Sequence, residues 1–311
     1  KNSLYINTVE SDLNAAMAAE KMGLKPELTA VGDKWILLKI RLRELEQKAK
    51  DPSCSTKIRN AFIRETQKLK KTGITSIESL KRLEEVLSEN KEDKNLKTVL
   101  AISIYSGNGL KSALTTLAAT NHLSLSPKKY YTKVSRPFNP GFKGTLYVYY
   151  IHQELFFKDS WVWKKVKQSI LREAKKRNYD VATRNFPEDP DMLYISLAKG
   201  KAGIFVRNSG TENKISINLR GSKSDASKLA QMGREAIKIL FTHLKDCDHH
   251  FYKLELHALS QIASQTINEK DLKIEKRSKT RLVAEMQKQG IIEMSLKGFQ
   301  LTSLGKWYLG N

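Results

Sequence analysis

The sequence predicts a mixed α/β and α+β protein that ends in a small, mainly helical domain. Three observations carry this prediction. In the N-terminal part, apolar runs of strand length alternate with amphipathic helical segments. A strand–turn–strand pattern at residues 203–220 lies between two helical segments, and the last segment combines short helices with a second strand–turn–strand. At 311 residues, the chain has room for two or three domains.

The N-terminal region, residues 1–135, begins as a compact strand–helix–strand unit. A β-prone run at 4–9 precedes a Ser-Asp pair that can cap an Ala-rich helix at 13–22, and Gly23 ends that helix. A short strand at 28–31 then leads into the string Gly-Asp-Lys-Trp-Ile, which by itself is typical of a turn that opens a helix.

A charged helical insertion follows at about residues 38–97. Apolar residues recur there every three or four positions with opposite charges between them, so we expect solvated helices and no chemistry. The region closes with a strand at 98–104, a Ser-Gly-Asn-Gly turn at 106–109 and a helix. That turn is shorter than a Walker loop and lacks its Lys-Ser/Thr pair, which argues against a nucleoside-triphosphate site.

The next region, residues 136–247, has the pattern of a small α+β domain. Its predicted elements follow in the order β-α-β-β-β-α, which places helices on one face of a sheet. They are a strand at 144–151, a helix at 161–176, a strand at 193–197, the strand–turn–strand at 203–220 and a helix at 226–244.

The turn of the strand–turn–strand collects groups that suit a tetrahedral anion. Arg207 supplies charge, while Ser209 and Thr211 supply hydroxyl donors. Gly210 would let backbone N–H groups approach the anion. We therefore predict a phosphate site at this turn. The alternative is an ordinary hairpin turn, since Asn, Ser, Gly and Thr dominate turns that bind nothing.

The chain is strongly basic. Its 55 lysines and arginines against 33 acidic residues give a formal net charge of +22 and a pI near 9.8. This charge predicts a polyanionic partner, and nucleic acid leads because Lys and Arg neutralise its phosphates. An anionic membrane surface or a merely basic exterior would fit the same charge. Taken with the motifs, we expect nucleic acid or a protein complex as the partner, and no membrane.

Two further features bear on the setting of the protein. Cys54 and Cys247 form neither a disulfide framework nor a Cys-x-x-Cys pair, which favours a reduced, cytoplasmic environment. No run of about 18 apolar residues is present, so we expect a soluble protein. The sequence begins at Lys1 instead of Met, which leaves open that it is a downstream portion of a longer polypeptide.

The string at 207–215, Arg-Asn-Ser-Gly-Thr-Glu-Asn-Lys-Ile, is similar to the Arg-Pro-Ser-Gly-Thr-Glu-Pro-Lys-Ile phosphate loop of the phosphohexomutase superfamily. Residues 29–36 and Asn108-Gly109-Leu110 are weaker matches to that family's third-domain loop and to a helix start. Over residues 4–244, the chain thus resembles the C-terminal half of phosphoglucomutases, phosphomannomutases and phosphoglucosamine mutases. The resemblance implies phosphate binding by the loop, with Lys34 as a sugar-phosphate contact.

The departures from this family limit what the resemblance implies. Family members carry a phosphoserine loop, an Asp-Gly-Asp loop for Mg²⁺ and a Gly-Glu-x-Ser-Gly-His sugar loop, and none of these strings occurs here. The arginine expected after the Lys-Ile pair is Ser216, and Arg220 lies on the same strand face as a substitute. The resemblance therefore implies a phosphate clamp with no catalytic residue or cofactor of its own. Mg²⁺ would belong to upstream catalytic domains.

The last segment, residues 252–311, shows three short helices, a strand–turn–strand and a closing helix. Its string Gln-Gly-Ile-Ile-Glu, followed by a short turn and Leu-Thr-Ser-Leu-Gly, resembles a winged-helix domain. The resemblance implies a recognition helix and a wing that contact nucleic acid; the alternative is a winged helix that contacts protein. The residues implied in nucleic-acid binding are Ser278, Lys279, Thr280, Arg281 and Lys297.

A cluster of histidines precedes this segment. His243 and Cys247 have the i,i+4 spacing that can hold a metal on a helix face, and three more histidines lie close by in sequence. The helix is predicted to end near Asp246, which would spoil that geometry. We therefore predict no metal site.

Three functions fit these residues. The first is a phosphohexomutase-derived phosphate or phosphosugar binder that is non-catalytic within this chain and carries a basic winged helix, acting as a sensor, regulator or complex subunit. The second is the C-terminal portion of an active mutase, an intramolecular phosphotransferase whose phosphoserine and metal loops lie upstream or on another chain. The third is a nucleic-acid-binding protein whose loop holds backbone phosphates.

Overall fold

The computed structural model describes residues 4–52, 54–72, 77–88, 117–118, 121, 126–130 and 138–310. The chain divides into two compact units, residues 1–140 with 186–189, and residues 141–185 with 190–311. The predicted strand at 98–104, the Ser-Gly-Asn-Gly turn and the string Asn108-Gly109-Leu110 lie outside the described residues. Helices combine with a five-stranded antiparallel sheet, which confirms the predicted mixture of helix and strand.

The first unit begins with two parallel strands around a helix. Strand β1 (Leu4–Thr8) pairs with β2 (Lys25–Thr29), and α1 (Leu13–Lys21) connects them. The Asp12 side chain caps α1 by accepting a hydrogen bond from the Asn14 amide at 2.9 Å. The predicted strand–helix–strand order is confirmed, although β2 begins three residues before the predicted start.

The charged segment of the first unit is helical, as predicted. It contains α2 (Asp33–Ala49), α3 (Thr56–Thr72) and α4 (Ile77–Ser88), and a short helix α5 (Pro127–Tyr130) follows later. Helices α2, α3 and α4 enclose an apolar core of their own, which is made by Leu45, Ala49, Phe62, Leu69, Leu80, Leu83 and Leu87.

The second unit is built on the antiparallel sheet, whose strand order is β3-β7-β6-β5-β4. The strands are β3 (Phe142–Tyr149), β4 (Val181–Arg184), β5 (Leu193–Leu197), β6 (Ala202–Asn208) and β7 (Lys214–Gly221). Strand β4 was not predicted, because all four of its residues are exposed and its sequence lacks the alternation of a half-buried strand. The observed order is therefore β-α-β-β-β-β-α.

One face of this sheet is apolar and packs on two helices, α6 (Trp161–Lys176) and α7 (Ala226–Leu244). The helix α7 lies close to the sheet at Gly233, where an added Cβ atom would meet Leu146 Cδ1 at 2.9 Å. A larger residue at this position would push the helix away from the strands.

The opposite face carries polar side chains that hydrogen-bond across three strands. Thr145 Oγ1 donates to Asn218 Oδ1 and Asn218 Nδ2 donates to Ser216 Oγ, each at 3.0 Å. Ser216 Oγ donates to the carbonyl of Arg207, the residue opposite it in the register, at 3.5 Å. These bonds hold the base of the β6–β7 hairpin in a fixed register.

The C-terminal segment contains α8 (His250–Ser264), α9 (Lys276–Gln289), β8 (Ile292–Ser295), β9 (Gly298–Leu301) and α10 (Ser303–Tyr308). The helix predicted between α8 and α9 is a single 3₁₀ turn at Glu269–Asp271. The apolar side chains of this segment join those of the sheet, α6 and α7 in one continuous core. The segment therefore packs as part of the second unit.

A buried ion pair connects α7 to α8. Lys245, the residue after α7, donates from Nζ to Glu255 Oε2 at 2.8 Å, and both side chains are almost completely buried. Four aromatic rings surround the ammonium group, with centroids 4.7 to 5.9 Å from Nζ. They belong to Tyr150, Phe241, Tyr252 and Tyr308.

We predict that Lys245→Ala lowers the free energy of unfolding by about 3–5 kcal/mol, because it leaves the Glu255 carboxylate buried without its cation. The paired change Lys245→Met with Glu255→Leu should be far less destabilising, since it removes both charges. Denaturant titration measures both effects, and Lys253→Ala, a change at an exposed residue of α8, serves as the control. Equal losses in the single and paired variants would contradict this account.

Candidate anion-binding site

The turn between β6 and β7 is closed by its own hydrogen bonds. The Ser209 amide donates to the Lys214 carbonyl at 3.0 Å. The Ser209 hydroxyl accepts from the amides of Thr211 (3.4 Å) and Glu212 (3.2 Å). A Cβ atom added to Gly210 would meet nothing within 4 Å, so the tip of the turn is open to solvent. Two backbone N–H groups and two hydroxyls are thus gathered on an accessible turn.

Two asparagines anchor the turn to the end of β3. Asn208 Nδ2 donates to the carbonyls of Gln153 (3.0 Å) and Phe156 (2.9 Å). Asn213 accepts through Oδ1 from the amide of Ile151 at 3.0 Å. These are the two positions at which the resembled loop has proline, and a proline could make neither side-chain contact. The side-chain amides of the two asparagines therefore hold both ends of the turn.

The structure brings Arg281 of α9 to this turn. Arg281 Nη2 lies 3.7 Å from Glu212 Oε1, and its Nε donates to Glu285 Oε1 at 2.9 Å. Glu212 also forms an ion pair with Lys214. The turn that was predicted to bind phosphate thus shares one surface with Arg281, which was predicted for a recognition helix.

Aromatic rings of β3 support the cations next to the turn. Lys214 Nζ lies 4.6 Å from the Tyr147 ring centroid and 5.3 Å from that of Tyr149. Arg281 lies 5.8 Å from the Tyr149 ring, and Lys288 Nζ lies 4.1 Å from the Tyr147 ring. Sequence reasoning did not identify Lys214, Lys288 or these tyrosines as site residues. The alternation of Thr, Tyr and Tyr along β3 is the signal that marks one strand face.

The charges of the site follow from its contacts. The hydrogen bond from Lys214 lowers the pKa of Glu212, so this carboxylate is ionised at neutral pH. Burial raises the pKa of Glu285. Burial also raises the pKa of Tyr149 and raises that of Tyr150 to about 12, so both phenols are neutral at neutral pH.

The two predicted arginines of the hairpin occupy different places. Arg207 lies at the end of β6, opposite Ser216 and directly below the turn. Arg220 lies opposite Gly203. Along β7 it is four residues after Ser216, which corresponds to roughly 13 Å at 3.3 Å per residue. Its side chain is buried and donates to the carbonyls of Gly144 (3.0 Å) and Leu219 (2.9 Å). The structure therefore does not bring Arg220 to the turn.

The other predicted site residues are more dispersed. Lys34 is exposed at the start of α2 in the first unit, with Nζ 4.4 Å from the Trp35 ring centroid. Ser278 lies in the first turn of α9, and its backbone amide donates a hydrogen bond to the Glu275 carbonyl at 3.1 Å. Lys297 is exposed in the β8–β9 turn.

Two of the residues predicted to read nucleic acid make contacts with the 3₁₀ turn at Glu269–Asp271. Lys279 Nζ donates to the Lys270 carbonyl at 3.2 Å. Thr280 Oγ1 donates to Glu269 Oε1 at 2.7 Å. Lys279, Thr280 and Arg281, three of the five residues predicted to bind nucleic acid, therefore already contact other groups of the chain through their side chains.

The histidine-rich junction has other contacts. His243 Nε2 lies 3.4 Å from Lys165 Nζ, and its ring meets the edge of Trp161. Cys247 Sγ donates to the Lys245 carbonyl at 3.6 Å. Within the described residues, no three His, Cys, Asp or Glu side chains are grouped so that they could hold a metal ion.

We predict that Asn213→Ala lowers the free energy of unfolding by about 1–3 kcal/mol, because the buried Ile151 amide loses its acceptor. The Ile151 amide should also exchange its hydrogen faster in the variant. Hydrogen exchange and denaturant titration measure the two effects, with Asn60→Ala on the exposed side of α3 as the control. Unchanged protection of Ile151 would show that Asn213 does not anchor the turn.

Comparison with known proteins gives a limited result. No family model and no curated protein sequence matches the chain. Among solved structures, it is similar to N-acetylglucosamine-phosphate mutase, a member of the α-D-phosphohexomutase superfamily, in a substrate complex. The identity is 11% and the TM-score 0.36, and the match covers 76% of this chain and 38% of that chain. In the described part of the sequence, no helix combines the length and apolarity needed to cross a membrane.

Proposed function

We propose that this chain is a phosphohexomutase-derived phosphate-recognition protein, which binds the phosphoryl group of a phosphosugar or free phosphate at the turn 208–214. The observation that carries the proposal is the position of Arg281, 3.7 Å from Glu212 at the edge of this turn. It supplies a second cation beside Lys214, next to the hydroxyls of Ser209 and Thr211. Guanidinium, ammonium and hydroxyl donors around an open turn are the groups that bind phosphate.

The Glu212 carboxylate shows how an anion would be held. It contacts both Lys214 and Arg281, so it lies where a phosphate oxygen would receive the same two donors. Arg281 and Glu212 have 58% and 43% of their side-chain surface exposed, and exposed ion pairs of this kind contribute little stability. An incoming phosphate can therefore replace the carboxylate.

The proposal assigns binding, and not phosphoryl transfer, to these residues. The phosphoserine loop and the Asp-Gly-Asp loop of the resembled enzymes do not occur in the 311 residues. An active mutase would need both from an upstream region or another chain, together with Mg²⁺ bound there. Formation of a phosphoserine and interconversion of hexose 1-phosphate and 6-phosphate by the full-length product would support that alternative.

Calorimetric titration with inorganic phosphate and with a hexose 6-phosphate tests the proposal. We expect Arg281→Ala or Arg207→Ala to weaken binding by about 1.5–3 kcal/mol through loss of charge-assisted hydrogen bonds. Glu212→Gln should tighten binding a few-fold, because it removes the competing internal carboxylate. Lys68→Ala, an exposed charge change in the first unit, serves as the control. If the arginine variants fold and bind as the unmodified protein does, the turn is purely structural.

A second candidate function is binding of duplex nucleic acid by the C-terminal segment. This segment contains a helix, a hairpin and a closing helix in the order predicted from its sequence, and Lys297 lies exposed on the hairpin. If the hairpin acts as a wing, Lys297→Ala should lower duplex affinity and reduce the slope of log affinity against log salt by about one. An identical slope, measured by fluorescence anisotropy, would remove Lys297 from the contact.

A further inference from the structure

Three large apolar side chains are exposed within seven residues of the second unit. Leu155, Phe157 and Trp161 have 49%, 50% and 58% of their surface accessible, whereas the intervening Phe156 and the nearby Trp163 are buried in the core. Clustered exposure of this kind adds nothing to the stability of the fold and marks interaction sites.

Cations accompany these rings. Lys165 Nζ lies 3.9 Å from the Trp161 ring centroid, and the His243 ring meets the same indole at 4.6 Å. Lys158 and Lys164 are exposed in the same stretch. A polyanion is the partner that complements both the rings and the positive charge around them.

This stretch lies beside the turn 208–214. The Phe156 carbonyl accepts a hydrogen bond from Asn208 Nδ2, which fixes Phe157 next to the end of β6. The amide of His152 donates to the Leu244 carbonyl at 2.7 Å, which ties the same connection to the end of α7, where His243 meets Trp161.

A second group of rings lies on the other side of the same connection. The Tyr150 ring stacks on His249, with centroids 4.5 Å apart and planes 14° apart, and on Phe251 at 5.4 Å and 10°. Phe251 is partly exposed. The Tyr150 amide bonds to the Asn213 carbonyl, so this group also adjoins the turn. We name Phe157, Trp161, Tyr150, His249 and Phe251 the aromatic strip.

We infer that the aromatic strip binds single-stranded nucleic acid, with bases stacked on its exposed rings and phosphates held by Lys158, Lys165 and the turn. The inference rests on the proposed anion site for the last of these contacts. Stacking on aromatic side chains inside a basic surface is how proteins hold unpaired strands, and a duplex hides the faces of its bases. Phe157, Trp161 and Phe251 are the exposed members of the strip, so they are the rings on which bases can stack.

The contacts of α9 favour a single strand over a duplex. Thr280 donates to Glu269, and Arg281 faces Glu212 and Glu285, so side chains predicted to read a groove already meet acidic partners. About half of the surface of Phe157 and of Trp161 is open to solvent, so an unpaired base can reach these rings.

The test is fluorescence anisotropy of labelled oligothymidylate, oligouridylate and a duplex with the full chain. Trp161→Ala should weaken single-strand binding by about tenfold or more, whereas Trp161→Phe, which keeps a ring, should retain most of the affinity. Leu155→Ala is the matched control: it removes an equally exposed apolar side chain that cannot stack, and it should leave the affinity unchanged.

Three results would overturn the inference: equal affinity of Trp161→Ala and the unmodified chain, tighter binding of the duplex than of single strands, or equal losses in Leu155→Ala and Trp161→Ala. Vesicles of phosphatidylserine and phosphatidylcholine provide a further arm. Binding to them that depends on Leu155, without single-strand binding, would assign the surface to a membrane instead.

The same variants separate this inference from the proposed phosphate function. Trp161→Ala should bind inorganic phosphate as the unmodified chain does, because Trp161 is not part of the turn. Loss of single-strand binding with intact phosphate binding supports the inference. Ring-dependent single-strand binding by a chain that binds no inorganic phosphate also supports it, and then only the phosphate proposal fails.

Discussion

The contact between Lys245 and Glu255 joins the C-terminal segment to the end of α7 inside the shared apolar core. An ammonium group enclosed by four aromatic rings and one carboxylate has no comparable alternative position, because moving either partner would leave a buried charge unpaired. The pair therefore ties the start of α8 to the end of α7, and the apolar side chains of α8 and α9 pack in the same core. Only with α9 in this position does Arg281 reach the turn between β6 and β7.

The surface next to this turn is an alternating row of charges. Lys214, Glu212, Arg281 and Glu285 follow one another, so each cation already has an acidic neighbour. This arrangement differs from the simple basic patch that a net charge of +22 indicates. In the proposed phosphate site, the affinity for an anion would depend on how readily it displaces the Glu212 carboxylate, and not only on the number of lysines and arginines.

Local patterns in the sequence predicted most elements of the second unit. The β6–β7 hairpin, the helices α6 and α7 and the C-terminal β8–β9 hairpin all carry apolar periods of the right length, bounded by caps or glycines. Strand β4 was missed because its exposed residues carry no such period. A strand that is held only by backbone pairing at the edge of a sheet does not need alternating apolar residues, so its sequence does not predict it.

The composition of the candidate site was predictable only in part. Arg207, Ser209 and Thr211 lie within five residues of one another, so their residue types alone were enough to predict an anion-binding turn. The approach of Arg281 to Glu212 depends on a separation of 69 residues and on packing between helices, which no local pattern encodes. The prediction for Arg220 failed for a different reason. The strand period correctly places Arg220 on the same face as Ser216, but its side chain lies too far along the strand from the turn and donates to backbone carbonyls of the sheet.

The two asparagines that anchor the turn have a consequence for the timing of binding. Asn208 and Asn213 bond to backbone groups of the β3 connection, so the turn is already formed before any ligand arrives. A preformed site with an internal carboxylate has no folding step to delay association, and ligand exchange reduces to swapping one anion for another. In the proposed site, an external anion would fill the turn only when it is abundant enough to compete with Glu212.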